Sequence, residues 1–292
     1  MRRREFITLL CGTVAGWPLA ARAQQPDMPV VGFLSALLPE TSAAILTAFR
    51  KGLSEAGFIE GRNVAIEYRW ANNDYDRLPG LAADLAHHPV AVIAATGSLS
   101  AALAAKEATG TIPIVFNTGT DPVKTGLVAT INKPGGNITG ISTMNFQLGT
   151  KWLGLLHALL PSATRFTLLV DGSPESKFLI TDVQAAAMAN GLQVEVLHAG
   201  TIDEVKTALA DVGQKQASAL MIAPGPVFLD HRVEIAMLAL SYGMPALYTN
   251  RAFAEAGGLI SYGSDFTDSS AKSAFIAAGF SRVRNQRICR FN

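Results

Sequence analysis

The chain has 292 residues, with 24 Lys and Arg against 23 Asp and Glu for a formal net charge of +1, and apolar side chains at 49% of positions. That balance excludes a disordered polyelectrolyte and supplies no overall basic field for nucleic acid, while the length suffices for one large domain or two ordinary ones. Its two cysteines, Cys11 and Cys289, are too few for a disulfide-built scaffold.

The start, "MRRREFITLLCGTVAGWPLAARAQQ", has a basic n-region, an apolar run from Phe6 to Leu19 and an A-x-A site at Ala21-Arg22-Ala23. That order predicts a secretory signal over residues 1–23, cleaved after Ala23 and twin-arginine-like through Arg3-Arg4-x-Phe6-Ile7. Cys11 follows Leu10, where a lipid-anchor site needs a small residue, so a lipoprotein is not expected. The mature chain then keeps a single thiol and folds on its core alone.

Short β-branched runs next alternate with Ala/Leu-rich helical patterns. "PVVGFLS", a helix over 40–56, "NVAIEYRW", a helix over 75–86, "VAVIAAT", a helix over 98–108 and "IPIVFNT" make one series. "RFTLLVD", a helix over 175–190, "LQVEVLH", a helix over 202–214, "SALMIAP", a helix over 230–242 and "MPALYTN" make a second. Continuous apolar strands between helices predict an α/β protein of two Rossmann-like lobes, their parallel sheets covered by helices on both faces. The Pro/Gly-rich "NKPGGNITGISTM" places the boundary: lobe 1 over 24–141, lobe 2 over 142–264, and 265–292 returning to lobe 1.

Two open sheets face their ligand with the carboxyl ends of the strands. Ser35, Thr96-Gly97-Ser98, residues 117–121, Asp171-Gly172-Ser173, Pro224-Gly225-Pro226 and Asn250 stand at those ends, and small hydroxyl residues and glycines let backbone N–H groups approach an anion. Several have a plainer reading. Asp121 before Pro122 is as good an N-cap as an amine ligand, Ser98 can cap its helix, and Asp171 can hold a turn. Ser35 and Thr96 have no such obvious alternative. Trp152 reads as core, whereas Phe228, Tyr248 and Tyr262 near strand ends are candidates to contact an organic ligand. No nucleophile elbow or zinc motif is present, "GTDPVKT" lacks the glycine a phosphate loop needs before its lysine, and His87-His88 fits a helix end. No metal or cofactor is expected.

The combination of "AARAQQ", "PVVGFLS", "FRKGLSEAGFIEGRNVAIEYRWA", "IPIVFNTGTDPVKTGLV", "KPGGNITGIS" and "EAGGLISYGSD" resembles the ABC-transporter substrate-binding proteins of the tryptophan/tyrosine type, from the signal to about Asp268. The resemblance implies a type I periplasmic-binding fold that closes by hinge motion, a periplasmic location, and delivery to a membrane permease. It implies a small-molecule solute, an amino acid and often an aromatic one, with no nucleic-acid partner and a monomeric receptor. By position, Ser35, Thr96 and Ser98 would hold the ligand carboxylate and Asp121 its amino group. Asn145, Asp171 and Glu255 would contribute from the second lobe, with Tyr248 or Tyr262 on the side chain. The chain departs from the family pattern near Asp171 and at Pro224-Gly225-Pro226. A ligand-sensing repressor of this fold would need a helix-turn-helix where the export signal stands, and a thiol-dependent amino-acid racemase would need paired cysteines.

The last stretch, "FSRVRNQRICRFN", is basic and invites a nucleic-acid or membrane arm. It has another reading. Residues 278–292 back-translate with permitted codons so that a second frame spells "RILKGTKPADLPVQ", which is similar to the family's motif at this place. The tail is therefore expected to be out-of-frame sequence, with Arg282, Arg284, Arg287, Cys289 and Arg290 carrying no selected function.

Overall fold

The computed structural model describes residues 28–40, 42–214 and 218–288. The signal sequence, Cys11, Cys289 and Arg290 lie outside the described residues.

The first series forms β1 (Val30–Ser35), α1 (Ala43–Glu55), β2 (Ala65–Trp70), α2 (Leu78–His87), β3 (Val92–Thr96), α3 (Leu99–Ala108), β4 (Ile114–Thr118) and β5 (Ile138–Ser142). Its sheet is parallel, in the order β2-β1-β3-β4-β5. β3 and β4 are buried along their whole length because helices cover both faces, which is why their sequences are continuous apolar runs. Alternate side chains feed two cores. Leu34, Ile93, Ala95, Ile114 and Phe116 pack toward α2 and α3, and Val31, Phe33, Val92, Ala94 and Val115 pack toward the opposite face.

After a helical turn at Asn145–Gln147 come α4 (Gly149–Leu159), β6 (Arg165–Val170), α5 (Ser176–Ala189), β7 (Gln193–His198), α6 (Ile202–Gln214), β8 (Ala219–Ile222), α7 (Pro226–Asp230), α8 (Arg232–Ser241), β9 (Ala246–Tyr248), α9 (Arg251–Glu255) and β10 (Ile260–Ser261). Read from its other edge, the second sheet runs β7-β6-β8-β9-β10, the same order as the first. Its core surrounds Trp152, Phe166, Phe228 and Tyr248. α10 (Phe266–Ile288) then returns to the first sheet, where Ala274, Ala277 and Ala278 pack on α1 through Ile45, Phe49, Gly52 and Leu53. Those α1 positions recur at helical spacing and make one apolar face. Gly52 allows the close approach, since an added Cβ would collide with the Ala271 carbonyl. Gly57 and Gly191, just past the ends of α1 and α5, take φ of +90° and +68°, the left-handed conformation that closes a helix C-terminus.

Differences from the sequence reading are local. Pro122 starts no helix: residues 122–126 form turns, although Asp121 Oδ1 accepts from Val123 N and Lys124 N at 2.9 and 3.2 Å as an N-cap would. Pro224-Gly225-Pro226 opens α7, with proline at the helix start where its missing N–H costs nothing. Trp152 is core, as expected, and its Nε1 donates to Tyr262 O at 2.9 Å. Among the described residues, no helix is long and apolar enough to cross a membrane and no His/Cys/Asp/Glu group is placed to hold a metal.

Candidate functional site

In a sheet of order 2-1-3-4-5 the connections from β1 and β3 diverge to opposite faces and leave a crevice at the carboxyl ends. Here two such crevices face one another. The cavity between them is lined from the first sheet by Leu37 after β1, Gly97 and Ser98 after β3, and Gly119 after β4. From the second it is lined by Asp171, Ser173 and Glu175 after β6, Ala223 to Pro226 after β8, and Thr249 and Asn250 after β9. Phe146, Phe228, Phe253 and Phe266 supply the aromatic wall.

The two halves touch through named hydrogen bonds. Tyr75 Oη donates to Asp171 Oδ2 at 3.0 Å, and Asn73 Nδ2 donates to Asp230 Oδ2 at 3.0 Å. Glu175 reaches the N-terminus of α3, accepting from Leu99 N at 3.1 Å and Ser100 Oγ at 3.2 Å. Asp171 Oδ1 also accepts from Ser173 N and Ser176 Oγ, at 3.0 and 3.2 Å, so one carboxylate serves both its own turn and the opposite lobe. Burial, helped by the Asp171 and then the Glu175 carboxylate, holds the Tyr75 phenol well above its ordinary pKa, so it remains a donor. Burial first, with the Asp171 charge adding to it, raises the Glu175 carboxyl.

Gly225 is required by this arrangement. A Cβ there would stand 2.7 Å from Asp171 Oδ2, although the backbone itself is extended and unstrained. Asn145 belongs to the cavity wall and to the connection between the sheets, since its Oδ1 accepts from Ser264 N at 2.9 Å. It thereby ties the segment leaving β5 to the segment leaving β10.

Of the residues chosen from sequence, Ser98, Asn145 and Asp171 line the cavity. Ser98 does so while capping α3, its Oγ accepting from Ala101 N at 3.0 Å. Ser35 and Thr96 lie behind the wall: Ser35 Oγ accepts from Leu37 N, and Thr96, 1% exposed, leaves its hydroxyl without a partner among the described residues. Asp121 stands outside the lining, in its turn. Tyr248 is in the core, stacked on Phe253 with centroids 4.6 Å apart, and burial pushes its phenol up to about 12. Tyr262 lies beneath Lys151, and Glu255 is exposed and paired with Arg251. Phe228, by contrast, faces the cavity.

Tyr75 and Glu175 were missed. The signal for Tyr75 was the strand-end "NND", whose Asn72 and Asn73 both take positive φ and turn the chain back toward the cleft. Glu175 reads from sequence as an ordinary helix start; its carboxylate makes no capping bond to the start of its own helix, and only the facing lobe gives it one to cap.

With this geometry in view, likeness to known proteins decides the family. Residues 34–279 match the family described as "ABC transporter substrate binding protein". The chain belongs to that family. It is 27% identical over 219 residues to a "Tyrosine-binding protein" of Clostridioides difficile, a match that takes in 75% of this chain and 62% of that protein's length. Among solved structures, a conserved domain protein of Vibrio cholerae superposes with a TM-score of 0.78 at 20% identity, covering 88% of this chain and 86% of that one. An ABC domain from Streptococcus pneumonia in complex with L-Trp superposes with a TM-score of 0.74 at 21% identity, covering 87% and 85%. At these identities the likeness shows the fold, which is the type I periplasmic-binding architecture.

Proposed function

We propose that the protein is the extracytoplasmic receptor of an ABC importer, holding a small organic solute of amino-acid size with an apolar, aromatic-compatible body between its lobes. The observation that carries this is the cavity: it lies at the switch points of both sheets, it is walled by four phenylalanines, and hydrogen bonds bridge its two sides. Binding requires no bond to be made or broken, so the residues serve as contacts and latches. The "Tyrosine-binding protein" relative and the L-Trp complex of a structural neighbour support an amino-acid-sized, aromatic solute.

In this reading residues 24–141 and 142–264 are the lobes, 265–292 returns to the first, and Asn145 and Ser264 lie in the hinge. Ser98, Asn145 and Asp171 contact the solute together with Tyr75, Glu175, Phe228 and Phe253, which line the same cavity. The protein acts as a monomer in the periplasm, after a twin-arginine-like signal is cleaved behind Ala23, and hands its solute to a membrane permease.

A thermal-shift screen of the purified protein against amino acids, amines, aromatic acids and sugars tests this. A binder raises the melting temperature with dose, because ligation of the native state stabilises it by mass action. A folded protein with a cooperative transition that no small solute shifts would refute the receptor reading.

A further inference from the structure

The polar part of the cleft wall carries negative charge and no cation. Asp171 and Glu175 are 8% and 2% exposed, and among the described residues no Lys, Arg or His lines the cavity. The partners of both carboxylates are neutral: Tyr75, Ser173 and Ser176 for Asp171, Leu99 and Ser100 for Glu175. Buried carboxylates are ordinarily matched by a positive group, so this site has room for one that the described residues do not provide.

A second observation concerns the place where a ligand anion would go. The N-terminus of the ten-residue α3 points its first amides toward the cleft, which favours a carboxylate there. That position is already filled by the protein's own Glu175 from the opposite lobe, while Ser98 satisfies Ala101 N. A ligand carboxylate would have to displace Glu175 and then lie beside it, adding a third negative charge to an apolar cavity. The remaining wall, with Phe146, Phe228, Phe253 and Phe266, suits an aromatic body and the face-on approach of an ammonium group.

We infer that the cleft takes an organic cation, an ammonium group on an apolar, aromatic-sized body without a free carboxylate, with the charge held by Asp171 and Glu175. This rests on the receptor reading and narrows it. Glu175 acts twice: it caps α3 in place of the ligand's carboxylate, and it supplies half of the negative charge the ligand neutralises.

The test is calorimetric titration of the purified protein with tryptamine and tyramine, with tryptophan and tyrosine, with indole-3-acetate and benzoate, and with glucose and myo-inositol. The amines are expected to bind on the order of tenfold or more tightly than the matching amino acids, and the acids not at all. Glu175→Gln is expected to weaken amine binding on the order of tenfold, with melting of the unliganded protein retained. An amino acid binding as tightly as its amine overturns the inference and leaves the receptor reading intact, as does binding of an acid or a sugar alone. Binding of none of the panel also overturns it, whereas the receptor reading falls only if the wider screen is empty too. Because the wild-type panel decides by itself, failure of the variant to fold does not shield the inference.

Discussion

Tyr75 Oη donates to Asp171 Oδ2 at 3.0 Å, joining the loop after β2 to the end of β6 across the cleft. The bond exists only when the lobes are together, so its loss should act on closure rather than on either lobe's stability. Tyr75→Phe is expected to reduce solute affinity on the order of tenfold, the ordinary worth of a hydrogen bond to a charged group, and to leave the unliganded melting temperature nearly unchanged. Titration calorimetry beside a melting curve checks both halves, and an unaltered affinity would remove Tyr75 from the closing contacts.

Gly225→Ala tests the same carboxylate from behind. The added methyl group would lie within contact of Asp171 Oδ2, so the side chain must shift and the Tyr75 bond must lengthen. Solute affinity should fall at least as far as in Tyr75→Phe, and combining the two substitutions should cost less than the sum of each, because they damage one interaction. Strict additivity in a double-mutant cycle would contradict this coupling.

The Glu175 carboxyl gives a pH dependence whose sign follows from its burial. Its pKa is raised above the ordinary 4.5, so the closed native state holds the proton more tightly than the unfolded chain does. The associated stability is fully present below the ordinary value and is lost as pH rises through the raised one. Unliganded wild-type protein should therefore close more readily, its radius of gyration falling in small-angle scattering, as pH falls through the raised value, while Glu175→Gln, neutral throughout, should show no such change. Bound amine reverses the trend, since a cation favours the ionised carboxylate. A wild-type radius that does not fall on acidification would show that the carboxyl is not held as described.

Packing of α10 on α1 makes a separate prediction about stability. At Gly52 a Cβ would meet the Ala271 backbone, which yields less readily than a side chain. Gly52→Ala should destabilise the protein by about 1–3 kcal/mol through overpacking, against the small gain in helix propensity that alanine normally brings. A thermal or urea melt that shows stabilisation would mean the helices separate freely there.

For the tail, we propose that the codons for residues 278–292 contain the family-like motif in a second frame. Sequencing the gene's DNA reads this directly, and absence of the motif there contradicts it. Arg282 nonetheless has a place in the fold, donating to Ala56 O at the end of α1 and lying over the Phe58 ring.

The two-lobed α/β fold was legible because parallel strands buried on both faces leave unbroken apolar runs such as "VIAAT" and "IVFNT". Placing the site at strand ends was legible too, since strand order determines where crevices open. Individual roles were less so. Ser35 and Thr96 are the last residues of β1 and β3 and stay behind the wall, whereas Ser98, beyond the strand end, reaches the cavity. Tyr248 looked available at a strand end, but Phe253 from the next helix stacks on it. Glu175 takes its role from Leu99, 76 positions away in sequence, and no local pattern encodes that distance.

Small-angle X-ray scattering of the purified protein, titrated with the most stabilising solute of the screen, tests the central claim that the lobes close on a ligand. Two buried carboxylates without a cation oppose closure in the empty protein, so its radius of gyration should exceed that of the closed structure and fall to it at saturation. A radius that stays constant from empty to saturated protein, with binding confirmed in the same sample, would contradict a receptor that works by closing.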